Sequence, residues 1–379
     1  MVAPISRRKR RLAAAAAALA GALVAGCTGG SGALDSRPTA PPPLTASPEA
    51  SPGATPPTTA STTPARPAGQ VTIAFAGDVH FSDRVSERLA ANPATAFGEA
   101  AEPLSRADIT MVNLETSISV GGQPANKSFV FQAPPTAFDA LRAAGIDVTT
   151  MANNHAADYR AEGLQQTLAA IEASKFPTVG IGRDAAQAYA PWLTTVNGVR
   201  LAFIGASQVP EETLRDFTAE DGKAGIANAY SQRLIDSVIA AKAQADAVIV
   251  YLHWGFEYAT CPNADQRSLA DELAAAGATA VVGTHAHVLQ GAGWRDDGVY
   301  VAYGLSNYLW WMSFGNEQDD NGILTLTLQG SRVAAAQFAP ARLDERGVPV
   351  PATGAVAERI NAEWERDRLC ADLAVAPPA

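Results

Sequence analysis

Each of the five histidines in this chain stands at the end of a short apolar run. VTIAFAG leads into Asp78-Val79-His80, VTTMA into Asn153-Asn154-His155, AVIVYL into His253, and AVVG into Thr284-His285-Ala286-His287. A further run, ITMV, carries no histidine but leads into Asn113-Leu114-Glu115. Runs of this length and composition read as buried strands. Ligands of α/β folds gather beyond the carboxyl ends of such strands. One pattern therefore constrains both the fold and the place where chemistry would occur.

Helical patterns separate the runs. Leu164, Leu168 and Ile171 share one face of a segment from about Glu162 to Ala173, and Leu269 and Leu273 lie four apart in a segment that starts near Asp265 and stops at Gly277. A glycine just past the last helical residue is a natural terminator. VYVAYGLSNYL, GILTLTLQG and VAAAQFAPARL then read as consecutive strands, and a final helix is predicted near Ala355 to Leu369. The fold class is α/β, with a mixed sheet or a pair of sheets in place of a purely parallel one.

Residues two apart on an extended segment project from the same face, so Asp78 with His80, Asn113 with Glu115, and His285 with His287 can each aim two side chains at one point. Imidazole, carboxylate and amide oxygen suit divalent Zn, Mn or Fe. Seven such groups exceed the needs of one ion, while two ions about 3.5 to 4 Å apart would use them all. Singly, each of these residues also has a structural reading, as a hydrogen-bonded histidine or a turn Asp or Asn.

The N-terminus sorts the protein. Arg7, Arg8, Lys9, Arg10 and Arg11 precede an uncharged run from Leu12 to Gly26, which is followed by Cys27. That run is shorter than the roughly 20 residues a membrane span needs and reads as a secretory signal over residues 1–26. Val24-Ala25-Gly26-Cys27 resembles a bacterial lipobox, in which Cys27 is lipidated; an ordinary cleaved signal is the other reading. Residues 27–69 form the lipidated cysteine and a Pro/Thr/Ser-rich tether holding ten of the chain's 25 prolines, a composition expected to stay disordered. Residues 70–379 are the folded domain. These features predict an exported protein, lipid-anchored to the outer face of the bacterial cytoplasmic membrane.

Without the five basic residues of the leader, 23 Lys and Arg face 38 Asp and Glu. So acidic a body repels phosphate backbones, which argues against nucleic acid as a partner. With Cys27 assigned to lipid, Cys261 and Cys370 remain, and in an oxidising compartment they are candidates for a disulfide.

The motifs GDVH, NLETSIS, ANNHAAD, GIGRD, HWGFEY, GTHAHVLQG and YGLSNYL, in this order from about Val71 to Tyr308, resemble the CapA family of capsule and poly-γ-glutamate biosynthesis proteins. The order D-x-H, acidic strand end, N-H, H, G-x-H-x-H is similar to the calcineurin-like metallophosphatases. The resemblance implies a four-layer α/β/β/α sandwich with mixed sheets and two divalent metal ions. It assigns Asp78, His80, Glu115 and His287 to a first metal and Asn154, His253 and His285 to a second, with Glu115 shared. His155 would be the catalytic histidine, and Asp158 either its orienting partner or a helix N-cap. The nucleophile would be hydroxide, and neither G-x-S-x-G nor a catalytic cysteine is apparent. Lys127, in NKSFVFQAPP, is a candidate for binding an anionic substrate, or a solvated loop lysine; Trp310 and Trp311 could wall a cleft or fill a core.

The chain departs from these patterns at three places. His80 stands where relatives of the CapA family carry Met, Asn113-Leu114-Glu115 replaces the phosphatase G-D-x-x-D, and Asp158 lies three residues after His155 instead of beside it. Two functions follow. One is a metal-dependent hydrolase cleaving a phosphoester or amide bond of an anionic envelope polymer or its precursor. The other is a non-catalytic accessory subunit of a membrane-bound polyglutamate synthesis or export complex. No ATP-binding P-loop is present, so the ligase itself is not expected.

Overall fold

A computed structural model describes residues 68–379. The signal segment, Cys27 and nearly all of the tether lie outside the described residues. The strands that build the sheets are β1 (Gln70–Val79), β2 (Ile109–Leu114), β3 (Val148–Thr150), β4 (Thr178–Val179), β5 (Trp192–Val196), β6 (Val199–Ser207), β7 (Ala247–His253), β8 (Ala280–Thr284), β9 (Ala292–Trp294), β10 (Tyr300–Ala302), β11 (Asn307–Leu309), β12 (Asp320–Gln329), β13 (Arg332–Leu343) and β14 (Pro349–Pro351).

They form two mixed sheets. The larger has the order β14-β13-β12-β1-β2-β3-β4, with β11 also pairing with β1; the smaller runs β9-β10-β8-β7-β6-β5. β1 pairs in parallel with β2 and β11 and antiparallel with β12, while β6, β7 and β8 are mutually parallel.

Alternation along the strands explains the layering. Val71, Ile73 and Phe75 of β1 meet Leu201, Phe203, Ile249, Tyr251 and Val282 of the smaller sheet in one buried core. Ala74 and Ala76, facing the other way, join Val85, Leu89, Phe138, Leu164 and Leu168 from the helices Asp83–Ala91, Ala137–Ala143 and Arg160–Ser174. Val248, Val250 and Leu252 of β7 pack on Leu234, Val238, Leu269 and Leu273 from the helices Gln232–Lys242 and Ala264–Ala276. The result is the expected four-layer α/β/β/α sandwich. The central strands β1, β2, β7 and β8 are buried on both faces because helices cover what the opposite sheet does not.

The helix Ala264–Ala276 has an Asn263–Gln266 capping box and ends at Gly277, whose φ of 105° suits glycine. The C-terminal helix spans Gly354–Cys370, and Cys370 is joined by a disulfide to Cys261, with 5.8 Å between their Cα atoms. Arg267 donates to the carbonyls of Cys370 and Ala371, so it fastens this helix end to the body. Among the described residues no helix is long and apolar enough to cross a membrane.

Candidate metal centre

Register brings the polar strand ends together. The Cα of Asp78, near the end of β1, pairs with those of Asn113 on β2 and Asn307 on β11, so three polar residues form a row across the sheet. In the smaller sheet His253 pairs with Thr284, and the chain beyond Thr284 carries His285 and His287 over the same edge. Both histidines have left-handed backbones, with φ of 99° and 55°, which turn their rings toward the other sheet.

Two groups of side chains lie close enough to hold a cation: Asp78, Glu115 and His253, and Glu115, His285 and His287. Glu115 belongs to both. It is fully buried, neither carboxylate oxygen has a hydrogen-bond donor, and the nearest ring nitrogens are His253 Nε2 at 3.5 Å and His155 Nε2 at 3.7 Å. Burial, reinforced by Asp78, holds its carboxyl well above the ordinary range, and burial also raises that of Asp78. The same burial pushes His253 and His285 well below the usual imidazole value, which leaves neutral rings with lone pairs to donate. Buried acidic oxygens without donors beside neutral imidazoles fit a divalent cation, which supplies the missing charge.

Neighbouring amide side chains hold several of these groups by hydrogen bonds. Asn113 Nδ2 donates to Asp78 Oδ1 at 2.7 Å, and Asn153 Nδ2 donates to Asn113 Oδ1 at 3.0 Å. Asn153 Oδ1 accepts the His155 backbone N–H at 3.0 Å. His287 Nδ1 lies 2.8 Å from Asn307 Oδ1. Asn154 Oδ1 faces His253 Nε2 at 2.8 Å, while its Nδ2 donates to Glu211 at 3.1 Å.

His80 stands apart from both groups. Its ring sits between Phe131 and Trp310, each with a centroid 4.2 Å away, and its Nε2 accepts the Trp311 backbone N–H at 3.1 Å. Burial pushes its pKa well below the usual imidazole value, and its Nδ1 is buried without a hydrogen-bond partner. By distance, His285 groups with His287 and Asp78 with His253, each together with Glu115.

His155 Nδ1 lies 2.6 Å from Asp158 Oδ2, and that oxygen also accepts the Phe131 backbone N–H at 2.6 Å. Lys127 Nζ reaches Asp158 Oδ1 at 2.6 Å and the Asn154 carbonyl at 2.7 Å. Asp158 is thus bound to His155 and is not an N-cap; Tyr159 holds the cap position of the following helix, without a side-chain bond. Lys127 points inward at the pair instead of outward at solvent. Burial lowers the His155 pKa and Asp158 opposes that shift.

Asn307, Glu211 and Phe131 escaped the sequence reading. Asn307 lies in the quoted motif YGLSNYL, and Glu211 follows the end of β6, where the strand-end rule could have found it. Phe131, Trp310 and Trp311 converge on the site from separate segments, and no local signal marks that meeting.

Over 243 residues the chain is 30% identical to the PGA biosynthesis protein CapA of Bacillus subtilis, which covers 63% of this chain and 63% of that protein. It is 30% identical over 230 residues to a probable polyglutamine synthesis accessory protein of Mycobacterium tuberculosis, covering 56% of this chain and 59% of that one. The chain thus spans less than two thirds of the length of either relative. Among solved structures it is similar to a phosphatase from Mycoplasma pneumoniae, with 15% identity and a TM-score of 0.49 over 73% of this chain and 95% of that one. The model of the bacterial capsule synthesis protein family PGA_cap matches residues 72–310, the stretch that carries every candidate ligand of the centre, and the chain belongs to that family.

Proposed function

We propose that this chain is an envelope-attached protein of capsule or poly-γ-glutamate biosynthesis that uses two divalent ions, Mn, Zn or Fe, to hydrolyse a phosphoester or amide bond in an envelope polymer or its precursor. The observation that carries the reading is Glu115, whose buried, donor-free carboxylate is common to both ligand groups. Asp78, Glu115, His253, His285 and His287 would hold the ions, with the Asn154 amide oxygen beside them. Such ions, when bound, act as Lewis acids and lower the pKa of water.

The protein's own groups supply the rest. Asp158 anchors His155 Nδ1 at 2.6 Å and leaves Nε2 directed at the centre, where it can deliver a proton to a leaving group. Lys127 balances the Asp158 charge and holds the Asn154 carbonyl, so it is a positioning residue. The signal segment and Cys27 support export and a lipid anchor.

The name of the Mycobacterium tuberculosis relative favours a second reading, an accessory subunit whose partners are membrane synthase or export subunits and whose centre is structural. Elemental analysis of the purified full chain beside an Asp78→Ala/His253→Ala variant, with a generic phosphodiester assay on both, separates them. About two ions per chain with turnover, both lost in the variant, are expected. Absence of stoichiometric metal after reconstitution with Mn and Zn overturns the hydrolase.

A further inference from the structure

The cleft above the centre is walled by aromatic rings. His155 and His287 form its floor, and Phe129, Tyr258, Trp311 and Phe314 rise around it. Phe129 and Tyr258 are 57% and 58% exposed, and with Trp311 and Phe314 they form an apolar patch around the opening. Trp311 and Phe314 rest on a buried base of Phe131, Trp310 and Leu343.

The platform is rigid. Asp319, fully buried, accepts the backbone N–H groups of Phe314 and Gly315, each at 2.7 Å, and the Ser313 hydroxyl at 2.8 Å. Arg342 pairs with the same carboxylate at 3.3 Å. The other end of the loop is fixed by the Trp311 N–H on His80. A surface held this way is preorganised for a ligand.

Its chemistry narrows what the ligand is. No Lys or Arg lines the cleft, and Glu257 does. Lys127, the nearest cation of the site, is committed to Asp158 and Asn154. Above the ions at the floor, the walls would offer a segment bearing one carboxylate per residue no counter-charge. The rings also do not form a slot: Phe129 and Trp311 are inclined at 47°, and Trp311 and Phe314 at 90°. A flat base needs parallel walls, whereas a puckered ring needs a single open face. Glu257, Gln318 and the Tyr258 hydroxyl offer the hydrogen-bond partners that ring hydroxyls require.

We infer that this mouth is a saccharide subsite, seating a neutral sugar ring of the substrate on Trp311 and Phe129 while the scissile group reaches the floor at His155. The inference deepens the hydrolase reading and rests on it for the position of the scissile bond. Glu257 and Gln318 accept and donate to ring hydroxyls, and Asp319 acts as a positioning residue through the Trp311–Phe314 loop.

The test is titration of the full chain with neutral tetrasaccharides of N-acetylglucosamine, glucose, mannose and galactose, and with tetraglutamate and AMP, by calorimetry and tryptophan fluorescence. At least one tetrasaccharide is expected to bind and shift the emission. Trp311→Ala and Phe129→Ala should each weaken it at least tenfold, and Trp311→Phe, which keeps a ring, should stay within about threefold. Binding should persist in the metal-site double variant. Saccharide binding without any metal-dependent turnover would support the subsite while removing the hydrolase. Turnover with no tetrasaccharide bound, affinity unchanged in Trp311→Ala, or preference for AMP or tetraglutamate would overturn the subsite.

Discussion

Replacing Glu115 by Gln should change stability in opposite directions with and without metal. In the ion-free protein both oxygens of Glu115 are buried without a donor, and burial with the Asp78 charge holds its pKa well above the ordinary value. The native state then keeps a proton that the unfolded chain, titrating near ~4.3, has already released. Greater proton binding by the native state makes stability fall as pH rises from the unfolded value to the native one, above which the loss is complete. Asp78, also raised, contributes with the same sign. Gln keeps the shape and removes the ionisation. An unsatisfied buried polar group costs about 1–3 kcal/mol and an ionised one more, so removing the charge at pH 8 relieves a penalty of about that size. With an unfolding entropy of about 2.1 cal/mol/K per residue over roughly 310 residues, relief of that penalty corresponds to a rise in Tm of about 2–5 °C. With metal present, the same substitution removes a ligand from both groups. It forfeits binding stabilisation of about 2.7 kcal/mol when free metal is 100 times Kd. Thermal unfolding in chelator at pH 5 and pH 8, and in Mn or Zn at pH 8, checks this. The variant should melt higher in chelator, more so at pH 8, and lower in metal. An equal drop in Tm with chelator and with metal would refute the argument that Glu115 is unsatisfied without a cation.

Asp158→Asn should lower phosphodiester turnover by about 10²- to 10⁴-fold, the range for a general acid, with metal content unchanged. Because Asp158 raises the His155 pKa against burial, the variant should also lose its protonated acid at lower pH, which a pH–rate profile would show. His80→Ala should retain the wild-type ion count by elemental analysis, whereas His287→Ala should lower it, because only His287 belongs to a ligand group. Cys370→Ser opens a disulfide with a sequence separation of 109. The chain-entropy model gives about 4–5 kcal/mol for such a loop, or a fall of about 6–8 °C in Tm at the unfolding entropy above, and wild type in reductant should match it in calorimetry.

The sequence carried the strand ends because burial on both faces demands apolar runs, and polar residues can follow only where the strand leaves the sheet. Asp78, Glu115, His155, His253, His285 and His287 were legible for that reason. Their grouping was not, because it depends on the register of β1 against β2 and β11 and on the backbone turn at His285. His80 has the spacing from Asp78 that suits a ligand, and its Nε2 meets the Trp311 N–H, 231 residues away in sequence, a contact that no local pattern announces. The helices at 160–174 and 264–276 followed from leucine spacing, yet Ile171 is only partly buried at the edge of the core that Leu164 and Leu168 fill. The aromatic mouth draws on three distant segments, and periodicity says nothing of such meetings.

The left-handed backbones of His285 and His287 have an evolutionary consequence. Each such conformation costs a non-glycine residue about 1–3 kcal/mol, and the rest of the fold must offset it. Glycine would relieve that cost at either position while deleting a ligand. A lineage in which the centre had no task should therefore drift toward glycine or asparagine there, since those changes gain stability and lose nothing under selection. Histidine at both positions in a relative would mark a centre still in use, and glycine at both would mark a scaffold retained after its chemistry was lost.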